Sequence, residues 1–332
     1  MHWINETYEG VVPKRLSSML EAFLRRQGLR YSPGDFTVLL RGEDGEIAAC
    51  GLLSGRVLQC IAVEPALRGE GLTAAVLTAL RARAFTAGID RLFLFTKPQN
   101  GCYFADFGFF PISHTDDMLL MESERGGISR FIASLDKGPE GGVHGCVVAN
   151  CNPFTLGHRY LIEQASAACD TLHLFILSED KSAVPADVRF ALVRQGVRGL
   201  NNVIVHPTSD YLISSVTFPT YFLKDESRAA QSAGRLDLTV FCDHFVPALH
   251  IARRFVGSEP FCAVTAAYNA AMKEMLPPRG VEVAEIPRLE IGGSAVSASR
   301  VRQLWRQESW DELRPLVPDC TWNYLSTGLW KK

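Results

Sequence analysis

The sequence lacks the features that mark a membrane or secreted protein. No uncharged apolar run reaches transmembrane length, and the first residues, MHWINETYEG, show no basic stretch followed by an apolar one. The nine cysteines include no CxxC pair, which favours free thiols over a disulfide framework. We therefore expect a cytoplasmic protein with no membrane partner.

An excess of charge of one sign is also missing. The formal net charge is −2, so there is no electrostatic basis for general binding to nucleic acid or to a membrane surface. A metal site is not indicated, because the adjacent triplet Cys242-Asp243-His244 lacks the spacing of zinc ligands. What remains is the composition of an ordinary globular protein, with 47% hydrophobic and 21% charged residues.

The length and one polar segment predict the domain organisation. A chain of 332 residues is long enough for about two domains, each with its own core. The segment 136–145 begins with DKGPEGG, which has the composition of a linker and no periodicity. We predict one domain over residues 1–138 and a second over residues 143–332.

Strands and helices alternate through the second predicted domain. Such alternation predicts a doubly wound parallel sheet, in which ligands bind beyond the carboxyl ends of the strands. The predicted strands are 143–150, 171–178, 202–207, 238–242 and 281–287, and the predicted helices are 158–169, 187–199, 247–256 and 298–306.

The stretch 146–158, CVVANCNPFTLGH, runs from an apolar strand into the start of a helix. A helix start offers unpaired N–H groups and the positive end of the helix dipole, both of which suit a triphosphate. Gly157 lets a ligand approach the backbone, His158 can donate to the α-phosphate, and Thr155 can place a hydroxyl beside it. The alternative is a buried histidine that caps an ordinary strand-to-helix turn.

A second helix start lies at 296–302, VSASRVR. Ser297 is the predicted N-cap, and Arg302 lies on the same helix face as Ser299. Hydroxyls, helix-start amides and a guanidinium suit the β- and γ-phosphates of a nucleotide. An N-cap followed by basic surface residues is the alternative, but the presence of both motifs favours a nucleotide site.

Together the two motifs resemble the T/HxGH and ISxxxxR motifs of the nucleotidyltransferase superfamily. The resemblance implies attack on the α-phosphate of ATP with release of pyrophosphate. It places His158 and Thr155 at the α-phosphate. It places Ser297, Ser299 and Arg302 at the β- and γ-phosphates. The loop residues implied to hold the nucleotide are Asn152, Pro153, Phe154 and Gly157.

Two other pairs of residues are assigned by analogy with the same superfamily. The spacing of Lys181 and Arg189 resembles that in phosphopantetheine adenylyltransferases, which implies that both meet the nucleotide and that Lys181 reaches the α-phosphate. A solvated loop lysine is the alternative for Lys181. Gly257 and Glu259 are implied to hold the adenosine end, by analogy with the superfamily's GxD segment.

The first predicted domain has a different order of elements. A helix near 12–27 precedes three strands, FTVLLR, EIAACGLL and RVLQCIAV, that are spaced as antiparallel neighbours. A glycine loop over residues 66–71 then opens the helix 72–88. This order resembles the GNAT acyltransferase fold. The GNAT pyrophosphate loop reads Q/RxxGxG/A, whereas Ala66 stands at its first position here, and a purely structural turn is the alternative.

The succession of the two domains resembles the citrate lyase ligase family. The resemblance implies that ATP and acetate form acetyl adenylate, and that the thiol of the citrate lyase acyl carrier subunit then takes the acetyl group. ATP and Mg²⁺ are the implied cofactors. Beyond the two motifs, the resemblance rests on Phe218–Phe222 with Lys224 and Asp225, on Arg254–Pro260, and on Thr265, Tyr268 and Asn269.

Two other functions stay open on the sequence alone. The second domain would serve an adenylyltransferase that acts on a phosphorylated acceptor. Alternatively, the protein is a GNAT acetyltransferase, and its second domain only senses a nucleotide. Lys224 and Asp243 are candidates for binding acetate or magnesium. The alternative is that Lys224 is an ordinary surface charge and that Asp243 caps the end of a strand.

Overall fold

A computed structural model describes residues 3–180, 182–218, 228–259 and 262–327 of the chain. The chain divides into two compact units, Met1–Gly127 and Ile128–Lys332. The predicted linker at 136–145 lies within the second unit and forms neither helix nor strand before residue 144. The domain limits 1–138 and 143–332 stay a prediction. In the described ranges, none of the helices is long and apolar enough to cross a bilayer.

The first unit is built on one sheet, whose strands are β1 (Ile4–Glu9), β2 (Phe36–Arg41), β3 (Ile47–Ser54), β4 (Val57–Val63), β5 (Phe93–Thr96), β6 (Phe110–His114) and β7 (Leu119–Glu122). Its helices are α1 (Lys14–Arg26), α2 (Leu72–Thr86) and α3 (Gly101–Asp106), with single 3₁₀ turns at Pro65–Leu67 and Pro98–Asn100.

The seven strands lie in the order β1-β2-β3-β4-β5-β7-β6. β1 to β4 are antiparallel neighbours, whereas β4 and β5 are parallel and pair only at Val57↔Phe93 and Leu58↔Leu94. α2 packs closely on the sheet because β3 carries Gly51, where a Cβ would lie 2.5 Å from Val76. The predicted antiparallel strands and the helix after the glycine loop are therefore present.

The second unit carries a separate, wholly parallel sheet. Helix α4 (Gly127–Ala133) begins at the division between the units. The strands are β8 (His144–Ala149), β9 (Thr171–Ile176), β10 (Val203–Pro207), β11 (Ile251–Gly257) and β12 (Glu282–Ile286), with a small pair β13 (Glu290–Ile291) and β14 (Ser294–Ala295). The helices are α5 (Leu156–Ala167), α6 (Ala186–Gly196), α7 (Arg228–Val240), α8 (Val246–Ala248), α9 (Ala263–Met275), α10 (Ala298–Arg306), α11 (Trp310–Leu313) and α12 (Asp319–Ser326), with 3₁₀ turns at Pro277–Arg279 and Arg314–Leu316.

The five parallel strands lie in the order β10-β9-β8-β11-β12. The chain runs outward from β8 to β10 and then crosses back to β11, so the order reverses between β8 and β11. A crevice forms at the carboxyl ends of two such strands, because the connections leave them in opposite directions. The doubly wound parallel sheet predicted from the sequence is confirmed.

Two predicted elements of this unit are wrong. Residues 238–242, predicted as a strand, are the end of α7 and the start of a π-helical turn at Phe241–Phe245. A short apolar run looks the same in a buried helix and in a buried strand, so its pattern does not separate the two. Residues 247–256, predicted as a helix, hold only the short α8 and most of β11. The polar pair Arg253 and Arg254 interrupts the apolar run that marks a parallel strand.

Three histidines cross the parallel sheet as a hydrogen-bonded ladder. Nδ1 of His144 lies 3.1 Å from Nε2 of His173, and Nδ1 of His173 lies 3.0 Å from Nε2 of His206. Nε2 of His144 is 3.2 Å from the carbonyl oxygen of Gly141. Burial lowers the pKa of His173 to about 3 and that of His206 to about 4, so both rings are neutral at pH 7.

Candidate active site

A cleft opens at the carboxyl ends of β8 and β11, where the strand order reverses. Its walls come from the end of β8, the start of α5, the end of β11, helix α9 and the segments that follow β12. It therefore contains the position at which open α/β sheets bind their ligands. Three of the predicted residues at its walls are Thr155, His158 and Ser297.

Thr155 and His158 cap the start of α5 reciprocally. The backbone N–H of Thr155 donates to Nδ1 of His158 at 3.1 Å, and the N–H of His158 donates to Oγ1 of Thr155 at 3.3 Å. Since Nδ1 accepts, the proton of the neutral ring is on Nε2. His158 thus caps the helix through Nδ1, and its Nε2–H stays available as a hydrogen-bond donor.

The charge state of His158 is set by its surroundings. Burial lowers the pKa of His158 to about 4, and the nearby charges of Arg288 and Arg302 act in the same direction. The imidazole is consequently neutral at physiological pH. A neutral Nε2–H can stabilise charge that develops on a phosphate oxygen without the desolvation cost of a buried imidazolium.

The second motif contacts the first. Ser297 is the N-cap of α10, and its Oγ accepts the backbone N–H of Arg300 at 3.2 Å. A Cβ at Gly157 would lie 2.9 Å from the carbonyl oxygen of Val296, so only glycine allows the two helix starts to approach this closely. Two sets of helix-start donors therefore meet at one place in the fold.

Arg302 makes the other contact between the motifs. Its Nη1 donates to the carbonyl oxygen of Asn152, and its Nη2 donates to Oγ of Ser299 at 3.0 Å. Burial lowers its pKa from the usual value for arginine, and a guanidinium still keeps its charge. Arg302 and Ser299 stand beside the cleft and are not among the residues that line it.

The three loop residues before Thr155 shape the turn. Oδ1 of Asn152 accepts the backbone N–H of Val184 at 3.0 Å. Pro153 is buried, and Phe154 packs so closely that a Cβ at Gly196 would lie 2.3 Å from its ring. The Phe154 ring stacks on His158 with centroids 6.2 Å apart. These contacts hold the loop and the imidazole in place.

Arg189 is buried among backbone oxygens. Its donors reach the carbonyl oxygens of Val184, Asn150 and Glu179 at 2.9, 2.8 and 2.6 Å, and Oδ1 of Asn150 at 2.7 Å. Its side chain is 0% exposed and does not line the cleft, whereas Asn150 does. Arg189 can act on a ligand only through Asn150. Lys181, its predicted companion, lies outside the described residues.

The carboxyl end of β11 adds further polar groups to the cleft. Gly257 and Glu259 both line it, and a Cβ at Gly257 would meet open space. Glu259 forms an ion pair with Arg288, which also donates through Nε to the carbonyl oxygen of Ser258 at 2.7 Å. Arg288 was not among the predicted site residues, although a polar residue just after strand β12 is the signal that would have pointed to it.

Asp243 lies away from the cleft. Its carboxylate pairs with Arg279 at 2.7 Å on the surface of the unit. Among the described residues no group of three or more His, Cys, Asp or Glu could hold a metal ion. Lys224, the other candidate for acetate or magnesium, lies outside the described residues.

The glycine loop of the first unit has a different character. Gly69 and Gly71 have φ angles of 94° and 75°, a backbone conformation that favours glycine. Gly71 is the N-cap of α2, and no side chain caps this helix start. A Cβ at either glycine would meet open space. The start of α2 therefore has no side-chain acceptor of its own.

Comparison with known proteins identifies relatives of both units. Residues 144–325 match the family model described as the citrate lyase ligase C-terminal domain, and residues 1–109 match that of the acetyltransferase (GNAT) family. A citrate (pro-3S)-lyase ligase from Klebsiella pneumoniae is 42% identical over 312 residues, covering 92% of this chain and 91% of the relative.

Two further proteins of the same name match at similar levels. That of Haemophilus influenzae is 38% identical, covering 93% of this chain and 94% of the relative. That of Escherichia coli is 40% identical, covering 86% of this chain and 83% of the relative. Over most of its length, then, the chain is similar to enzymes that carry the family's name.

Proposed function

Because the chain belongs to the citrate lyase ligase family, we propose that it uses ATP and acetate to acetylate the prosthetic thiol of the citrate lyase acyl carrier subunit. The observation that carries the proposal is the contact of two helix starts, those of α5 and α10, at the cleft where β8 and β11 end. Such paired N-termini supply the donors that a triphosphate needs.

In the first step, a carboxylate oxygen of acetate attacks the α-phosphorus of ATP. The new bond joins oxygen to phosphorus, and the bond to the bridging oxygen breaks, so its electron pair leaves with pyrophosphate. His158, with its proton on Nε2, donates to the α-phosphate beside Thr155. Ser297 and Ser299 donate hydrogen bonds to the β- and γ-phosphates, and the guanidinium of Arg302 neutralises part of their charge. Catalysis thus consists mainly of positioning and charge neutralisation.

The remaining predicted residues support the nucleotide. Lys181, which lies outside the described residues, is assigned to the α-phosphate by analogy alone, and Gly257 and Glu259 to the adenosine end. Arg189 acts through Asn150, and Asn152, Pro153 and Phe154 fix the loop that carries Thr155.

A dedicated magnesium site does not fit the described residues. Glu259 is the carboxylate that lines the cleft, and it is already paired with Arg288. Mg²⁺ usually keeps several waters and binds substrate phosphates with few protein ligands. We propose that any Mg²⁺ arrives bound to ATP, and we assign none of the described residues as its ligand.

In the second step, the carrier thiol attacks the carbonyl carbon of acetyl adenylate. A sulfur–carbon bond forms, the bond from carbon to the AMP oxygen breaks, and the thiol proton is released. The nucleotide-like arm of the carrier contains a pyrophosphate, and the uncapped start of α2 beside Gly69 and Gly71 suits it. We assign that loop to the arm. The nine free cysteines suit a reducing cytoplasm, where we place the reaction.

The test is a pyrophosphate-release assay over a series of short carboxylates, with and without the carrier thiol. The proposal predicts release that depends on acetate, free AMP as a product, and a thioester on the carrier. AMP found inside a dinucleotide would instead identify an adenylyltransferase. Acetyl transfer from acetyl-CoA without ATP would identify a GNAT enzyme with a nucleotide-sensing domain.

A further inference from the structure

Arg254 is a buried arginine of β11 that lines the cleft. Few hydrogen-bond acceptors among the described residues face its guanidinium. Its side chain is 3% exposed. In the described parts of the chain its hydrogen bond goes to Sγ of Cys146 at 3.1 Å, and its Nε is buried without a partner. Sulfur is a weak acceptor, so the guanidinium is left with unused donors.

Within the described ranges, no anionic group compensates Arg254 by direct contact. Burial raises the pKa of Cys146, so its thiol is neutral. Asp237 is also buried, but its carboxyl accepts the backbone N–H of Ile213 at 2.7 Å and the hydroxyl of Tyr268. Burial raises the pKa of that carboxyl and the charge of Arg254 acts to lower it, but the ion pairs of the described residues do not include one between the two. A buried cation without an anionic partner is costly, and proteins seldom keep one without a use.

The guanidinium of Arg254 contacts an aromatic ring, and part of the wall of the cleft is apolar. The guanidinium lies over the ring of Phe241, with Cζ 4.8 Å from the centroid, a favourable cation–π distance. Val148, Ile213 and Met272 line the same cleft. A guanidinium beside apolar side chains suits a carboxylate with a short hydrocarbon tail, because two parallel N–H groups match its two oxygens.

We propose that Arg254 binds the carboxylate of the acid substrate, so that the subsite for acetate lies at the base of the cleft. The proposal rests on the proposed function for the identity of the acid. The phosphates of ATP have other donors, at the starts of α5 and α10, and the other arginine that lines the cleft, Arg288, is paired with Glu259. Arg254 supplies the missing positive partner and orients one carboxylate oxygen for attack.

The experiment compares Arg254→Met and Arg254→Lys with Arg253→Met. Arg253 is the matched control, because it is the neighbouring arginine and pairs with Glu282 on the surface at 2.8 Å. The measurements are the KM values for acetate and ATP in ATP–pyrophosphate exchange, and the Tm in sodium acetate and in sodium chloride of equal ionic strength.

Arg254→Met should raise the KM for acetate by about thirtyfold or more, with a smaller rise for Arg254→Lys, and should change the KM for ATP less than about twofold. It should abolish the Tm increase that acetate gives the wild-type protein. Its Tm in chloride should stay close to that of the wild type, because Arg254 has no direct ion pair to lose and methionine keeps the apolar contact with Phe241. Arg253→Met should leave both KM values unchanged.

An unchanged KM for acetate in Arg254→Met would overturn the proposal. So would a large fall of Tm, or failure to fold, since both indicate an arginine needed for the structure. Wild-type protein that shows no acetate-dependent exchange contradicts the proposed function instead. In that event the acetate-specific Tm increase still decides whether Arg254 binds a carboxylate, and its absence overturns the inference.

Discussion

The helix starts at Gly71 and Gly157 use glycine for two different physical reasons. Gly71 has a φ of 75° and faces open space, so it is needed for its backbone conformation. Gly157 has no such conformation, and a Cβ there would lie 2.9 Å from the carbonyl oxygen of Val296. The first glycine makes a turn, and the second allows another segment to pack against it.

The two helix starts also differ in how their donors are used. At α5 the side chains of Thr155 and His158 cap the backbone, and the ring Nε2–H remains for a ligand. At α2 no side chain caps the backbone, so the N–H groups themselves remain. A glycine before a helix in a sequence therefore says little about a site until its neighbours are known.

The largest effect should come from His158, which distinguishes the α5 start most clearly from the α2 start. His158→Ala should lower acetate-dependent pyrophosphate exchange by on the order of a hundredfold or more, because it removes the donor that we propose for the α-phosphate. Loss of the cap should cost about 1 kcal/mol of unfolding free energy.

His158→Gln is the matched control for capping. Glutamine at this position can accept the N–H of Thr155 and restore the reciprocal cap. We expect its Tm to recover while exchange stays well below the wild-type rate. Recovery of both would mean that the histidine is only a cap.

Arg302→Ala should have an effect of similar or slightly smaller size. It removes the charge that we propose for the β- and γ-phosphates and frees the carbonyl oxygen of Asn152. Exchange should fall by on the order of a hundredfold. Arg306→Ala, on an exposed residue one turn further along α10, should leave the exchange rate almost unchanged. Equal behaviour of the two variants would remove Arg302 from the site.

Gly157→Ala tests whether the close approach of the two motifs matters. The added methyl group must push Val296 and the start of α10 away, so we expect exchange to fall by about tenfold, through a weaker affinity for ATP. Gly199→Ala is the control, since a Cβ there meets nothing within 4 Å. A normal KM for ATP in Gly157→Ala would show that the spacing is not needed.

Gly71→Val should have the smallest and most selective effect. A β-branched residue at a φ of 75° is strained and should block the α2 start, so acetyl transfer to the carrier should fall several-fold. Exchange at the other site should be unaffected. Gly88→Val, at the opposite end of α2 with a φ of 73°, carries equal strain away from the loop. Equal losses of transfer would assign the defect to folding, and no loss would make the loop a structural turn.

The sequence predicted the parts of the site that depend on local chain order. A strand followed by Thr155 and His158, and a helix beginning at Ser297, are local patterns, and both helices start where predicted to within a few residues. The parallel sheet followed from the alternation of elements, since parallel strands need crossover helices.

The parts that were missed depend on contacts between distant segments. Arg254 was noted only as a member of a family-specific segment, and its lack of an oxygen partner among the described residues is visible only once β11 pairs with β8. The apolar residues 238–242 gave no period that separates helix from strand. The contacts of Arg189 with three carbonyl oxygens likewise required the folded loops.

The bond from Arg302 to the carbonyl of Asn152 joins residues 150 positions apart, and it has a consequence for the order of synthesis. A ribosome makes β8 and α5 long before α10, so the emerging chain can pair its strands while the nucleotide site is still incomplete. ATP has nothing complete to bind until the last part of the sheet and the helix after it have been made. If the nucleotide binds as proposed, a chain that ends before α10 lacks Ser297 and Arg302 and would be unable to consume ATP.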